Sequence, residues 1–189
     1  MVTITLLHPT QDRYVIKFIN PSSSVLLNFL NLQIYWDKYP DNVGQSVDSM
    51  ELYAQRYGNH EALYGFQLLN EPAVDIPTLQ DYYKRGYDAV RRHSSNSYIV
   101  INPLISPFEF GIESHWKSFM NPDQGYSKVV MDLHYYSCFG GPGDTTNADS
   151  NINYINYDRR AQIVEYKQNN PKLQIIGEWS ACHHGDYNR

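Results

Sequence analysis

Glu71 follows the run LYGFQLLN and precedes Pro72, while Glu178 follows LQIIG and precedes Trp179. A carboxylic acid can lend and recover a proton, and a carboxylate can attack an electrophilic carbon. Two of them flanking one bond suit displacement at an anomeric carbon. One protonates the leaving oxygen and later activates water; the other attacks. The carboxyl groups must then stand about 5–5.5 Å apart if configuration is retained. The acid must keep its proton near neutral pH, through burial and the charge of its neighbour. The two residues are far apart in sequence, so only a fold can bring them together. Other able groups stand close by. Asn70 could hydrogen-bond a sugar 2-hydroxyl, a contact that strengthens in the transition state. His134 and Tyr136 differ by two positions and share one face of a continuing strand, where both could orient carboxylates. Trp179 could be a stacking platform, although it is the sequence neighbour of Glu178.

Taken singly, each feature has a plainer reading. Asn-Glu-Pro is commonly a strand-to-loop turn, a lone glutamate is commonly a surface residue, and a lone histidine is commonly packed. Their order and common position at strand ends favour a shared role. His183 and His184 beside Cys182 match no standard metal-ligand spacing, so no metal is expected. The loop GGPGD at 140–144 lacks the residues of a phosphate cradle. Cys138 and Cys182 each follow a strand end by a few residues, so a bridge between the two loops is one arrangement open to them.

The elements that must position these residues can be read from periodicity. Val47, Met50, Tyr53, Ala54 and Tyr57 recur at helical spacing before Gly58. LYGFQLL, from Leu63 to Leu69, reads as a buried strand. A helix TLQDYYKRGYDAVRRHS follows Pro77, with Thr78 and Asp81 as a capping-box-like pair. SYIVIN, ending at Asn102, is the next strand. A short helix near Trp116 precedes the strand KVVMDLH, from Lys128 to His134. A helix from about Ile152 to Lys167 ends at Asn170-Pro171, and LQIIG, from Leu173 to Gly177, is the last strand. Four apolar strands separated by helices predict a parallel sheet covered by helices. Each strand is apolar until its carboxyl end, where Glu71, Asn102, His134 or Glu178 follows. In a parallel barrel those ends converge on one face. Residues 1 to about 33 break this rhythm. VTITLL and YVIKFI could form a hairpin, and SSSVLLNFLNL could be a helix capped by Ser22 or Ser23.

The composition is that of a globular chain, with 42% hydrophobic and 19% charged residues among 189. The 17 Tyr, 7 Phe and 3 Trp are an aromatic excess. It suits either half-buried packing or a cleft for the apolar face of a sugar. A net charge of -5 with no basic run argues against a nucleic-acid partner. The apolar run from Ser24 to Trp36 carries Asn28, Asn31 and Gln33 and is too short to span a membrane. No secretory signal is visible at the N-terminus.

The motifs YGFQLLNEP, VVMDLHYY and IIGEWSA, in that order, resemble those of glycoside hydrolase family 5, especially its glucan 1,3-β-glucosidase (exo-β-1,3-glucanase) branch. The resemblance runs from about Trp36 to Ala181, and it implies a partial (β/α)8 barrel holding about strands four to seven. By match, Glu71 would be the acid/base and Asn70 its neighbour, His134 and Tyr136 the His-x-Tyr pair of the sixth strand, and Glu178 the nucleophile. It implies a β-glucan oligosaccharide or polysaccharide as substrate, hydrolysed by double displacement, with no metal or organic cofactor. It also implies a secreted or cell-wall location. No counterpart of the family's active-site Arg and His is found in residues 1–35, and the chain stops before an eighth strand. The expectation is therefore a domain over 34–189 that is truncated at both ends, of doubtful activity, with residues 1–33 unassigned. A non-catalytic β-glucan-binding module is the alternative. An open α/β nucleotide or small-molecule binder lacks a phosphate motif and leaves both glutamates unexplained.

Overall fold

The computed structural model describes residues 2–6, 25–29, 40–104, 114–137, 139, 143–144 and 147–183; of these, 2–6, 25–29, 40, 114 and 181–183 are described as backbone only. Strands β1 (Val2–Leu6), β2 (Val25–Phe29), β3 (Leu63–Gln67), β4 (Tyr98–Ile101), β5 (Val129–Ser137) and β6 (Leu173–His183) form one sheet in that order. Every neighbouring pair is parallel. Parallel neighbours need crossover connections, which put helices on the sheet. The helices are α1 (Pro40–Tyr57), α2 (Ile76–Arg91), α3 (Ser114–Lys117), α4 (Ala148–Asn153) and α5 (Arg160–Asn169). The result is an arc of a (β/α)8 barrel; β3 to β6 are the strands read from the sequence as the fourth to seventh.

The sheet holds six described strands rather than four. β1 and β2 both come from the 1–33 segment that the sequence set apart. SSSVLLNFLNL, read as a helix, contains β2 instead. A short continuous apolar run is ambiguous between a buried strand and a helix, and here pairing with strands on both sides decided it. VTITLL does contain a strand, but its described partner is β2 in parallel. Residues 14–19, expected as the other arm of a hairpin, lie outside the described residues.

Strand alternation sorts the core onto two faces. Phe66, Ile99, Ile101, Val129, Met131 and Leu133 are buried in one cluster with Met50 and Ala54 of α1 and Leu79, Tyr82 and Tyr83 of α2. On the other face Val100 and Val130 pack with Tyr98 and Ile175. That second face is the concave one in a barrel, and it is here that polar side chains interrupt the strands.

Local signals explain the helix ends. Gly58 donates its N–H to the Ala54 carbonyl at 2.8 Å, and a Cβ there would meet that oxygen at 2.4 Å. α2 is capped by Asp75, whose Oδ1 accepts from the Thr78 N–H at 2.9 Å. The expected Thr78–Asp81 pair is therefore corrected: the helix begins before Pro77, which sits in its first turn where no N–H is needed. Asp81 instead faces Arg85 at 3.3 Å, one helical turn on. The helix near Trp116 is present as α3. The last helical stretch runs from α4 through a π-helical turn at Tyr154–Arg159 into α5. It stops at Asn170, which is extended with φ −128° as the residue before Pro171. β6 continues past the expected Gly177 to His183.

Candidate active site

The loop after β3 carries Glu71 at φ 44°. This left-handed region is uncommon for a side chain larger than glycine and costs on the order of 1–3 kcal/mol, so surrounding contacts must hold it. Two tyrosines of α2 fix the loops that leave the sheet. The Tyr82 hydroxyl donates to the Leu68 carbonyl at 2.6 Å, and the Tyr83 hydroxyl donates to the Asn102 carbonyl at 2.8 Å. Part of the aromatic excess is thus structural. These fully buried rings brace the strand ends from the helix side.

At the carboxyl ends of β3, β5 and β6 four expected residues meet. His134 Nδ1 lies 2.8 Å from Glu71 Oε1 and 3.7 Å from Glu178 Oε2. The Tyr136 hydroxyl donates to Glu178 Oε2 at 2.6 Å. One atom each from Glu71, His134 and Glu178 can be chosen so that all three lie within 4.8 Å of one another. The two carboxyl groups therefore face each other across the imidazole. An approach of two oxygens to within 4.8 Å is nearer the about 5–5.5 Å of a retaining pair than the about 6.5–9.5 Å of an inverting one. The same three groups are the described set close enough to surround a cation, although Glu71 is already bonded to His134 and Glu178 to Tyr136.

The electrostatics follow from these contacts. Burial disfavours a charged His134, but hydrogen bonds to Asp132 and Glu71 outweigh it and push the imidazole pKa up to about 9. Burial raises the Tyr136 phenol, and the hydrogen bond to Glu178 raises it further. Tyr136 is therefore a donor throughout the physiological range.

Of the groups beneath this pair, sequence reading noted Asn102 as a strand end and missed Gln67 and Asp132. Gln67, Asn102 and Asp132 are 2%, 2% and 1% exposed. Gln67 Nε2 donates to Asn102 Oδ1 at 2.7 Å and reaches Asp132 Oδ2 at 3.1 Å. Asn102 Nδ2 donates to the Asp132 carbonyl at 2.9 Å. Asp132 Oδ2 also lies 3.3 Å from His134 Nε2, and its Oδ1 accepts the Gly177 N–H at 2.7 Å. Gly177 is the extra residue of a bulge: Leu133 registers with Ile176, but His134 registers with Glu178. A Cβ on Gly177 would meet Asp132 Oδ1 at 2.3 Å. The signal was available, because a polar residue inside an apolar strand must find partners if buried. The reading attended only to the strand ends.

The remaining expected residues are placed differently. Asn70 is buried next to the pair, with Oδ1 at 3.5 Å from Gln67 Nε2. Trp179 is 72% exposed and registers with Tyr135, whose ring lies 4.3 Å from the Arg159 guanidinium. Strand alternation therefore sets Trp179 on the opposite side of β6 from Glu178, and the structure does not bring it to the carboxylates. Cys138 and the side chain of Cys182 lie outside the described residues.

The parallel strand–helix arc carries two facing glutamates at its carboxyl rim, where a (β/α)8 barrel holds its active site. Comparison with known proteins agrees. A family model described as Cellulase (glycosyl hydrolase family 5) matches residues 15–189, and the chain belongs to that family. The match begins within the segment that the sequence reading left unassigned. A protein named glucan 1,3-beta-glucosidase from Yarrowia lipolytica is 31% identical over 160 residues, covering 80% of this chain and 35% of its own length. Another of that name from Schwanniomyces occidentalis is 29% identical over 149 residues, covering 75% and 32%. The chain thus spans about a third of the length of these curated relatives. Among solved structures, Thermotoga maritima Cel5A in complex with mannotriose aligns with TM-score 0.63 at 18% identity, over 84% of this chain and 55% of that one. Pseudomonas stutzeri endoglucanase Cel5A aligns with TM-score 0.61 at 20% identity, over 82% and 50%. These two likenesses carry the fold.

Proposed function

We propose that this chain carries the catalytic pair of a retaining β-glucan hydrolase, with Glu178 as nucleophile and Glu71 as acid/base. The observation that carries the reading is the approach of the two carboxylates, one oxygen of each within 4.8 Å, across His134. In the first step a Glu178 oxygen attacks the anomeric carbon, and the bond to the leaving oxygen breaks as Glu71 protonates it. In the second step Glu71 takes a proton from water, the water oxygen attacks the same carbon, and the Glu178 ester is released. Tyr136 holds the attacking carboxylate through its 2.6 Å hydrogen bond. His134, 2.8 Å from Glu71, can give and recover a proton there. Asn70 is the candidate partner for a sugar 2-hydroxyl. The names of the relatives favour a β-1,3-linked glucan as substrate and, with it, a place of action at or outside the cell wall. Among the described residues no helix is long and apolar enough to cross a membrane.

The test uses aryl β-glucosides. Glu178→Ala is expected to lose turnover by several orders of magnitude, with azide restoring it and yielding the α-glucosyl azide. Unchanged turnover in that variant would remove Glu178 from the mechanism. Binding of β-glucan with no turnover of aryl glucosides by the parent chain would instead favour a binding module.

A further inference from the structure

We infer that Asp132 is the positioning residue of this site, its two oxygens setting the imidazole of His134 and the backbone that carries Glu178. The inference rests on the glycosidase reading only for the meaning of the two glutamates; the contacts themselves stand apart from it. Asp132 is 1% exposed and lies one turn of the strand alternation below His134 on β5. Its Oδ1 accepts the Gly177 N–H at 2.7 Å, at the bulge that shifts β6 by one residue immediately before Glu178. Without that shift the alternation along β6 would turn Glu178 to the other face. Its Oδ2 lies 3.3 Å from His134 Nε2.

A carboxylate with no proton to give can only accept. The hydrogen on His134 must therefore sit on Nε2, facing Asp132. Asn102 Nδ2, 3.4 Å from the same nitrogen, gives one hydrogen to the Asp132 carbonyl and has a second, but the charged Asp132 oxygen at 3.3 Å holds an Nε2 hydrogen more strongly than a neutral amide holds a bare Nε2. With Nε2–H committed below, Nδ1 is the nitrogen that faces Glu71 at 2.8 Å. A neutral imidazole in this tautomer accepts the Glu71 proton; a charged one returns it. The mobile proton then belongs to the Nδ1–Glu71 contact and never to the Asp132 side. A buried carboxylate that fixes the tautomer of an imidazole is an established physical device. Here the same carboxylate also anchors the strand bearing the opposite glutamate. The groups facing His134 are Glu71 from the loop after β3, Asp132 from β5 and Glu178 from β6, with the neutral amide of Asn102.

The assignment is tested on the 189-residue chain itself, uniformly labelled with nitrogen-15. Long-range proton–nitrogen correlation reports which ring nitrogen of each histidine carries hydrogen, and His134→Gln identifies the His134 signals. Recorded above pH 9, where the His134 imidazole is neutral, the parent chain is expected to hold hydrogen on Nε2 and none on Nδ1. A neutral His134 with hydrogen on Nδ1, or rapid exchange between the two forms, would overturn the inference without any variant. In Asp132→Asn the side-chain oxygen can keep the Gly177 bond, leaving its NH2 facing Nε2. The neutral tautomer should then invert to Nδ1–H, which locks Glu71 in the accepting state. Retention of the Nε2–H form in a folded Asp132→Asn chain would equally overturn it. In an active chain the same variant should lose tenfold or more in glycosylation with poor leaving groups and much less with dinitrophenyl glucoside. Equal losses for both would mean that Asp132 acts on the fold and not on the proton. A chain with the Nε2–H imidazole but no turnover would uphold the placement of Asp132 while failing the glycosidase reading.

Discussion

Glu71 and Glu178 differ in what surrounds them, and the difference fits the tasks proposed for them. Glu178 accepts a hydroxyl that stays protonated, so its charge is stabilised without being quenched. Glu71 faces a nitrogen that can both give and take a proton. Glu71→Ala should therefore slow glycosylation by alkyl glucosides far more than by dinitrophenyl glucosides, which need little protonation. Presteady-state rates for the two classes check this, and equal losses would contradict the assignment. His134 also ties the site to stability. Its folded pKa of about 9 lies above the ordinary 6.5, so its contribution is complete below about pH 6.5 and is lost as pH rises through about 9. Burial pulls Lys172 down to about 8, and this residue works in the opposite sense, favouring the fold more as pH rises from there toward 10.5. The His134 share is isolated as the difference in Tm between the parent and His134→Gln. That difference should be largest below about pH 6.5, shrink as the pH rises toward about 9 and vanish beyond it. A difference independent of pH would refute the charged interaction.

At the scale of elements, α2 is a brace as well as a cover. Its N-terminus is fixed by Asp75 and its buried face presents Tyr82 and Tyr83 to the strand-end carbonyls. Tyr82→Phe keeps the ring but leaves the Leu68 carbonyl without its donor, a loss of about 1–3 kcal/mol. Urea denaturation should show it. Because Leu68 lies just before the loop bearing Glu71, turnover should fall as well. Asp75→Ala removes only the cap and should cost about 1 kcal/mol, with turnover unchanged in the folded fraction. If the two variants affected turnover alike, the brace would not be specific to the loop. The bulge at Gly177 is the second element that serves the site, since it lets Glu178 rather than Gly177 face His134.

At the scale of the whole molecule, β1 and β6 are the outer strands of the described sheet and are not paired with each other. Unpaired strand edges and exposed apolar faces invite other chains. Leu173 and Ile176 on β6 are 51% and 48% exposed, and Trp179 beside them is 72% exposed. The chain should therefore self-associate, with light scattering rising with concentration. A chain that stays monomeric at every concentration would overturn this while leaving the two glutamates in place.

How much was legible in advance follows from where the information lay. The apolar runs ending in Asn70-Glu71, Asn102, His134 and Glu178 showed parallel strands with their chemistry at one end, because side-chain type and order along the chain are local properties. α1, α2 and the stop at Asn170-Pro171 were legible for the same reason. The Thr78–Asp81 cap was misread because Asp75, three residues before Thr78, competes for the same N–H and the sequence does not say which wins. β2 was misread because VLLNF suits either period until it has neighbours. Trp179 looked like part of the cleft from its place beside Glu178, yet alternation along β6 turned it away. The sequence by itself determined the family, the class of fold and the identity of the groups able to act. Only the tertiary structure decided which of them meet. The approach of Glu71 to Glu178, the imidazole between them and the Asp132 carboxylate beneath depend on strand register and one bulge. A shift of a single residue in register reverses which face a side chain occupies, and register is set by pairing between distant segments rather than by any residue alone.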